Sequence, residues 1–126
     1  MAGRAFPIVY AADVEVTAGS YEALGFGRHF QLPPEGPAGY VGLRRGASEM
    51  AVVSEQWPAD HYGMQRGSGP VFEMFVYVDD ADDAVARLER SGAAVIRPPE
   101  DMPWGERVGF VRDPDGNPVA IATSPS

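Results

Sequence analysis

The amino-acid sequence predicts an α+β fold made of two βαβββ modules, each a copy of the same unit. Three residues recur at a fixed distance of 67 positions: Asp13, Gly25 and Gly42 match Asp80, Gly92 and Gly109. In both copies the aspartate follows an apolar strand-like run and precedes a helical pattern. The first glycine closes that helix, and the second lies inside a strand-like run. A repeat that keeps this order of elements indicates an internal duplication.

The first module, about residues 1–56, begins with a short apolar strand at Phe6–Ala11. Asp13 can cap the helix that follows, and Gly25 can end it. Three more strand-like runs follow, separated by the loop PPEGPAG and the turn RGAS. These predicted strands are Arg28–Leu32, Tyr40–Arg44 and Glu49–Ser54.

The second module, about residues 70–126, repeats this order within a single domain of 126 residues. A strand at Val71–Val78 leads into a helix whose N-terminus is crowded by aspartates, which the helix dipole favours there. Gly92 ends this helix. The remaining predicted strands are Ala94–Arg97, Arg107–Arg112 and Pro118–Thr123. The stretch between the modules, about residues 57–69, is expected to be a linker or a mobile loop.

Composition limits the classes of function. With 44% apolar and 22% charged residues, the chain has the composition of an ordinary soluble domain, and we expect it in the cytoplasm. The absence of cysteine excludes disulfides, thiolate metal sites and cysteine nucleophiles. The net charge of −8 disfavours nucleic acid as a partner and favours cationic small molecules. No apolar run approaches the roughly 20 residues that span a bilayer, so no membrane partner is expected.

The C-terminal segment PWGERVGFVRDPDGNPVAIAT resembles the last hairpin of the vicinal oxygen chelate superfamily. This superfamily includes glyoxalases, extradiol dioxygenases and bleomycin-resistance proteins. Its turn DPDGN has a physical basis, because Asp113 can bond nearby amides, Pro114 fixes φ and Gly116 permits a positive φ. The resemblance implies curved mixed sheets with the helices on their convex sides, a binding cleft on the concave sides, and a homodimer.

The resemblance also implies four positions at which metal-dependent members carry His, Gln or Glu. Here these positions fall on Phe6, Glu73, Ala120 and either Val52 or Val53. Only Glu73 offers a donor atom, and divalent metals require several nitrogen or oxygen donors. We therefore predict no metal, no other cofactor and no catalytic residue. The two histidines, His29 and His61, do not lie at any of these four positions. They are expected to be surface or hydrogen-bonding residues.

Strand alternation predicts a ligand surface in place of a metal site. In VFEMFVYV, Glu73, Phe75 and Tyr77 share one face, and the aliphatic residues share the other. An apolar, aromatic concavity with few polar groups suits a flat organic ligand. The two tryptophans lie in loops that could close over it. The expected ligand-binding residues are Phe6, Ile8, Tyr10, Trp57, Glu73, Phe75, Tyr77, Trp104 and Phe110.

This pattern resembles the bleomycin-resistance branch, whose members sequester an antibiotic. It predicts a metal-free homodimer that binds an aromatic antibiotic or natural product, and the net charge favours a cationic one. Two other classes stay open. One is a metal-independent enzyme of the same fold, with Glu73 as a buried base among apolar neighbours. The other is a metal-dependent lyase, isomerase or dioxygenase with non-standard ligands.

Overall fold

A computed structural model describes residues 4–124 and divides the chain into two compact units, with the boundary between Ser68 and Gly69. Each unit contains one four-stranded mixed sheet and a helix that packs on it. The predicted α+β fold of two βαβββ modules is confirmed. No helix within residues 4–124 is both long and apolar enough to cross a bilayer.

Unit one has the strand order β1-β4-β3-β2, in which β1 and β4 are parallel and the other pairs are antiparallel. Its first strand starts at Ile8 and not at Phe6, because Pro7 has no amide hydrogen to donate. Its elements are β1 (Ile8–Ala11), α1 (Val14–Glu22), β2 (Gly27–Leu32), β3 (Tyr40–Arg45), β4 (Ser48–Ser54) and α2 (Trp57–Tyr62).

Helix α1 begins and ends as its sequence predicts. The Asp13 carboxylate accepts a hydrogen bond from the Val16 amide at 3.2 Å, and Gly25 follows the helix with a φ of 96°. The buried face of α1, which includes Ala18 and Tyr21, packs on β3 and β4. Burial of this face, more than helix propensity, holds α1 in place.

The segment between the two modules contains a helix that the sequence analysis did not predict. Helix α2 spans Trp57–Tyr62, has Pro58 in its first turn, and ends at Gly63 with a φ of 68°. A helix of six residues is too short to show an apolar repeat of 3.6 residues. The expectation of a loop was therefore wrong for this part of the segment.

Unit two has the strand order β5-β8-β7-β6, with β5 and β8 parallel. Strand β6 extends to Asp101, beyond the predicted end at Arg97, because it is an edge strand and tolerates two prolines. The elements of unit two are β5 (Met74–Tyr77), α3 (Ala81–Arg90), β6 (Val95–Asp101), β7 (Arg107–Arg112) and β8 (Pro118–Thr123).

Each sheet has one face against its helix and one face on the opposite side, which we call the open face. In β1, Val9 and Ala11 are buried, whereas Ile8 is 41% exposed. Cross-strand pairing extends each open face over the whole sheet. The open face of unit one carries Ile8, Tyr10, Tyr40, Gly42, Glu49, Ala51 and Val53, and that of unit two carries Phe75, Tyr77, Val108, Phe110, Ala120 and Ala122.

Strand register corrects one of the three repeat matches. Asp80 accepts from the Asp83 amide at 3.0 Å and Gly92 has a φ of 106°, so both correspond to their first-module counterparts. Gly42 and Gly109 do not correspond to each other. Gly42 lies on an open face, whereas Gly109 pairs with Ile121 on the face against the helix. The residue at the register position of Gly42 is Phe110.

Candidate functional site

A cavity of about 430 Å³ lies on the open face of unit one. Its walls combine aromatic rings with two arginines, a histidine and a glutamate. The lining residues are Arg4, Phe6, His29, Phe30, Tyr40, Gly42, Arg44, Glu49 and Met50. A volume of this size is within the range of small-molecule sites in proteins.

Glu49 is the polar centre of this cavity. Its two carboxylate oxygens accept hydrogen bonds from Arg4, at 2.8 Å from Nε and at 2.6 Å from the terminal nitrogen. His29 Nε2 lies 3.6 Å from Glu49 Oε1. The hydrogen bonds from Arg4 hold the pKa of Glu49 below its usual value, and the charges of Arg4 and Arg44 act in the same direction.

A β-bulge brings both His29 and Phe30 to the cavity. Arg28 pairs with Leu43 and Phe30 pairs with Gly42, so His29 has no pairing partner of its own. Gly42 of β3 therefore lies opposite both His29 and Phe30. Arg28 points the other way and bonds the glutamates of α1. Strict alternation from Arg28 would place His29 on the open face and Phe30 on the side of the helix. The bulge instead puts two consecutive side chains on the open face.

Aromatic rings continue from this cavity to helix α2. Phe30 and Tyr40 meet nearly edge to face, with ring centroids 5.8 Å apart. Tyr40 also contacts Trp57 at 5.8 Å, and Trp57 stacks on His61 at 3.8 Å. Helix α2 therefore places Trp57 against a residue that lines the cavity. His61 is exposed and supports this tryptophan.

The other first-module residues predicted for the ligand site take different positions. Phe6 lines the cavity, and the Arg4 guanidinium lies 5.1 Å from the centre of its ring. Ile8 and Tyr10 are on the open face but are not part of the cavity lining. The Tyr10 hydroxyl instead lies 2.7 Å from the Tyr62 hydroxyl, so Tyr10 links β1 to α2.

In unit two, Glu106 joins two of the predicted aromatic residues. The Tyr77 hydroxyl donates to one oxygen of Glu106 at 2.7 Å, and Trp104 Nε1 donates to the other at 2.9 Å. Phe75 contacts Tyr77 with ring centroids 5.3 Å apart. The hydrogen bond to Glu106 raises the pKa of Tyr77, because a negative acceptor favours the protonated phenol. We call these four residues the Glu106 cluster.

The Glu106 cluster is on the surface. Phe75, Tyr77 and Trp104 are 43%, 47% and 61% exposed. Phe110 is half-buried, and together with Met102 it packs on Val108, Ala120 and Ala122, which form the floor of this face.

Glu73 does not have the environment expected of a buried base. It is exposed and lies just before β5, and within residues 4–124 its side chain makes no hydrogen bond or ion pair. The strand begins only at Met74, so the first residue of the predicted face lies outside the sheet. The carboxylate that organises the aromatic residues is that of Glu106.

The residues at the implied metal positions do not fit a divalent metal. Ala120 pairs with Phe75 on the open face, and the residue at the same register position in unit one is Ala51. Val52 points toward the helix and Val53 is one pair further along the strand, so neither is the equivalent position. Ala51 therefore takes the place of Val52 or Val53 at this implied metal position. This adds no metal ligand, because the alanine side chain also lacks a donor atom.

Sequence reasoning missed four polar residues of the unit-one cavity and one of unit two. The position of His29 and Phe30 on the same face required knowledge of the bulge, and the pairing of Arg4 with Glu49 joins residues that are 45 positions apart. Glu106 could have been found, because it is two and four residues before Val108 and Phe110 and therefore shares their face.

Comparisons with known proteins agree with this architecture. Residues 5–121 match the profile of the Glyoxalase/Bleomycin resistance protein/Dioxygenase superfamily. Lactoylglutathione lyases from two Neisseria meningitidis strains, of serogroups A and B, are each 34% identical over 70 residues. That match covers 55% of this chain and 49% of each relative, so it spans about half the length of those proteins.

Solved structures show the same fold at low identity. A glyoxalase/bleomycin resistance protein/dioxygenase family enzyme from Burkholderia phytofirmans PsJN has a TM-score of 0.80 at 19% identity, covering 94% of this chain and 95% of that one. A lactoylglutathione lyase from Agrobacterium tumefaciens has a TM-score of 0.71 at 20% identity, covering 96% and 93%. The profile match extends over most of the sequence, and on this basis the chain belongs to the glyoxalase, bleomycin resistance protein and dioxygenase superfamily.

Proposed function

We propose that this protein binds an aromatic small molecule without a divalent metal and releases it unchanged. In this it would act like the antibiotic-sequestering, bleomycin-resistance branch of its superfamily, with an antibiotic or another natural product as the ligand. One observation carries the proposal. The open-face positions where metal-dependent members carry donors hold Ala51 and Ala120. Ala120 lies between Phe75 and Phe110, and Phe30 and Tyr40 line the cavity on the open face that carries Ala51.

The aromatic side chains supply the contact area that such a ligand needs. Phe30 and Tyr40 line the unit-one cavity, and Phe75, Tyr77 and Trp104 are exposed on unit two. Each well-placed aromatic pair contributes about 0.5–1.5 kcal/mol beyond the burial of its area. Hydrogen bonds to Glu106 fix the orientation of two of these rings before a ligand arrives, which lowers the entropy lost on binding.

A metal-dependent lyase is the second candidate, favoured by the similarity to the Neisseria lactoylglutathione lyases. The donor set of this chain argues against it, because only Glu73 among the implied positions has an oxygen donor. A metal-independent enzyme with Glu73 as its base is less well supported by the geometry, because that carboxylate is exposed and is not buried among apolar neighbours.

Ligand screening with product analysis tests the proposal. Protein purified without chelators is screened against aromatic natural products by quenching of its two tryptophans. The bound compound is then recovered and weighed by mass spectrometry, and metal content is measured on the same sample. We expect saturable quenching, an unchanged ligand mass and no stoichiometric metal. Turnover of the ligand, or about one tightly held zinc, nickel, manganese or iron per chain, would contradict the proposal.

We also propose that the protein works as a homodimer. Unit two leaves large apolar side chains exposed, among them Phe75 and Ile96, and a second copy of the chain would cover such side chains. Analytical ultracentrifugation at micromolar concentration should give twice the monomer mass of 13.5 kDa. A monomer that binds its ligand with undiminished affinity would overturn this assignment.

A further inference from the structure

The unit-one cavity contains an arginine that forms no ion pair within residues 4–124. Arg44 lies opposite Glu49 in the β3–β4 pair, and its charge acts on that carboxylate. Within residues 4–124, however, no hydrogen bond or ion pair engages the Arg44 guanidinium. It is exposed and faces the same cavity as Phe30 and Tyr40.

The charge of Glu49 is already compensated. Both of its oxygens accept hydrogen bonds from Arg4, and such a two-point contact is the strongest form of a carboxylate–guanidinium pair. Arg4 and Glu49 therefore cancel each other, and the charge of Arg44 remains. The cavity carries one positive charge in excess, with His29 counted as neutral.

This local charge is opposite to the charge of the whole chain. The net charge of −8 led us to expect a cationic ligand. Water and salt screen distant surface charges over a Debye length of about 8–10 Å, whereas charges that line a cavity act on its ligand directly. The acidic residues around the start of α3, such as Asp82 and Asp83, lie in unit two and do not line this cavity.

We infer that the unit-one cavity selects a planar aromatic compound that carries a carboxylate or another planar anion. The rings would contact Phe6, Phe30 and Tyr40, and the anion would meet Arg44. The planar fork of a guanidinium matches the two oxygens of a carboxylate. This inference rests on the proposed function and specifies the chemical class of its ligand.

Three naphthalene probes of nearly equal size test the charge preference. These are 2-naphthoate, 2-naphthamide and 2-naphthylmethylammonium, each titrated into the full chain by isothermal titration calorimetry. We expect the carboxylate to bind about tenfold more tightly than the amide, because a charge-assisted bond adds roughly that factor. The ammonium compound should bind more weakly than either.

Two outcomes of this titration separate the inference from the proposed function. If the amide or the ammonium compound binds as tightly as the carboxylate, the inference fails while aromatic binding stands. If none of the three probes binds, both fail.

Arginine variants then locate the effect. Arg44→Gln should reduce the preference for carboxylate over amide to within about twofold, whereas Arg44→Lys should keep part of it because the point charge remains. Arg112→Gln is the matched control, since Arg112 is also exposed, ends a strand and forms no ion pair within residues 4–124. It should leave the preference unchanged. Thermal melts confirm that each variant is folded. A carboxylate preference that survives in Arg44→Gln would overturn the inference.

Discussion

Gly42 and His29 are so close that a β-carbon added to Gly42 would lie 3.2 Å from His29 Nε2. The missing side chain of Gly42 leaves the space that the His29 imidazole occupies on the open face. Gly42 is thus required for room on the open face, and not for a positive φ, which it does not have. The approach of His29 to Glu49 depends on this space.

Gly42→Ala should displace the His29 ring and leave the fold intact. The new methyl group requires a shift of a few tenths of an ångström, and the partly exposed ring can move. We expect a loss of stability of about 1 kcal/mol, at the lower end of the range for overpacked sites. The imidazole resonance of His29, assigned with His29→Gln, should shift as its distance from Glu49 increases.

Gly39→Ala is the control for this change. Gly39 also lies in unit one, has no atom within 4 Å of an added β-carbon, and has no positive φ. It should leave the His29 resonance where it is. An unchanged His29 resonance in Gly42→Ala as well would contradict the packing that we describe.

Glu106→Gln should lower the pKa of Tyr77 toward that of free tyrosine. Glutamine keeps an acceptor for the Tyr77 hydroxyl but removes the negative charge that favours the protonated phenol. Titration followed by carbon NMR of labelled tyrosine measures the change. Tyr10→Phe is the control, because it should alter only Tyr62, whose pKa is raised by its hydrogen bond to Tyr10.

The same contact predicts a dependence of stability on alkaline pH. The folded state raises the pKa of Tyr77, so its contribution to stability is fully present below the value of free tyrosine, about 10. It is lost as the pH rises through the folded-state pKa. Urea unfolding at several alkaline pH values should therefore show a smaller loss of stability in Glu106→Gln than in the parent. An equal loss of stability in both proteins would show that the contact with Glu106 does not couple the ionisation of Tyr77 to folding.

Asn117→Ala should destabilise the protein by about 1–3 kcal/mol, because it leaves buried polar groups without partners. Asn117 is 0% exposed, donates to Asp113 Oδ2 at 2.9 Å, and accepts from the Val71 amide at 2.9 Å. It therefore connects the DPDGN turn to the segment that precedes β5. Chemical denaturation measures the loss. Pro114→Ala, at an exposed position in the same turn, should lower the free energy of unfolding by less than about 1 kcal/mol. Equal losses of stability in the two variants would contradict the role of Asn117.

Tyr77→Ala and Trp104→Ala should weaken ligand binding while the fold remains. Both rings are largely exposed, so each substitution should change the free energy of unfolding by less than about 1 kcal/mol. Ile121→Ala, at a fully buried position of β8, should instead cost about 2–5 kcal/mol. Calorimetric melts rank the three variants. A collapse of the fold in Tyr77→Ala would place that ring in the core.

The elements that the sequence predicted well are those with local signals. Asp13 and Asp80 are capping residues, and the glycines that follow each helix have a positive φ, so the ends of α1 and α3 follow from residue type and spacing. The two faces of β5 followed from strict alternation, because this strand has no bulge in its pairing with β8.

The features that the sequence did not predict depend on pairing between distant residues. The register of β7 against β8 separates Gly109 from Gly42, and a bulge brings Phe30 onto the open face beside His29. The contact of Arg4 with Glu49 requires the tertiary fold. Alternation along β7, continued to the residue before its start at Arg107, places Glu106 on the face of Val108 and Phe110.

Gly42 and Phe110 occupy the same register position in the two sheets, and their difference in size distinguishes the open faces of the two modules. A glycine at this point leaves a hollow above one sheet, whereas a phenylalanine fills the same point of the other sheet with its own ring. The two modules thus differ through side-chain volume at a single position, so that one open face carries a cavity and the other an aromatic surface. Exchange of these two residues between the modules is the smallest change expected to fill the cavity of one sheet and to open a hollow in the other.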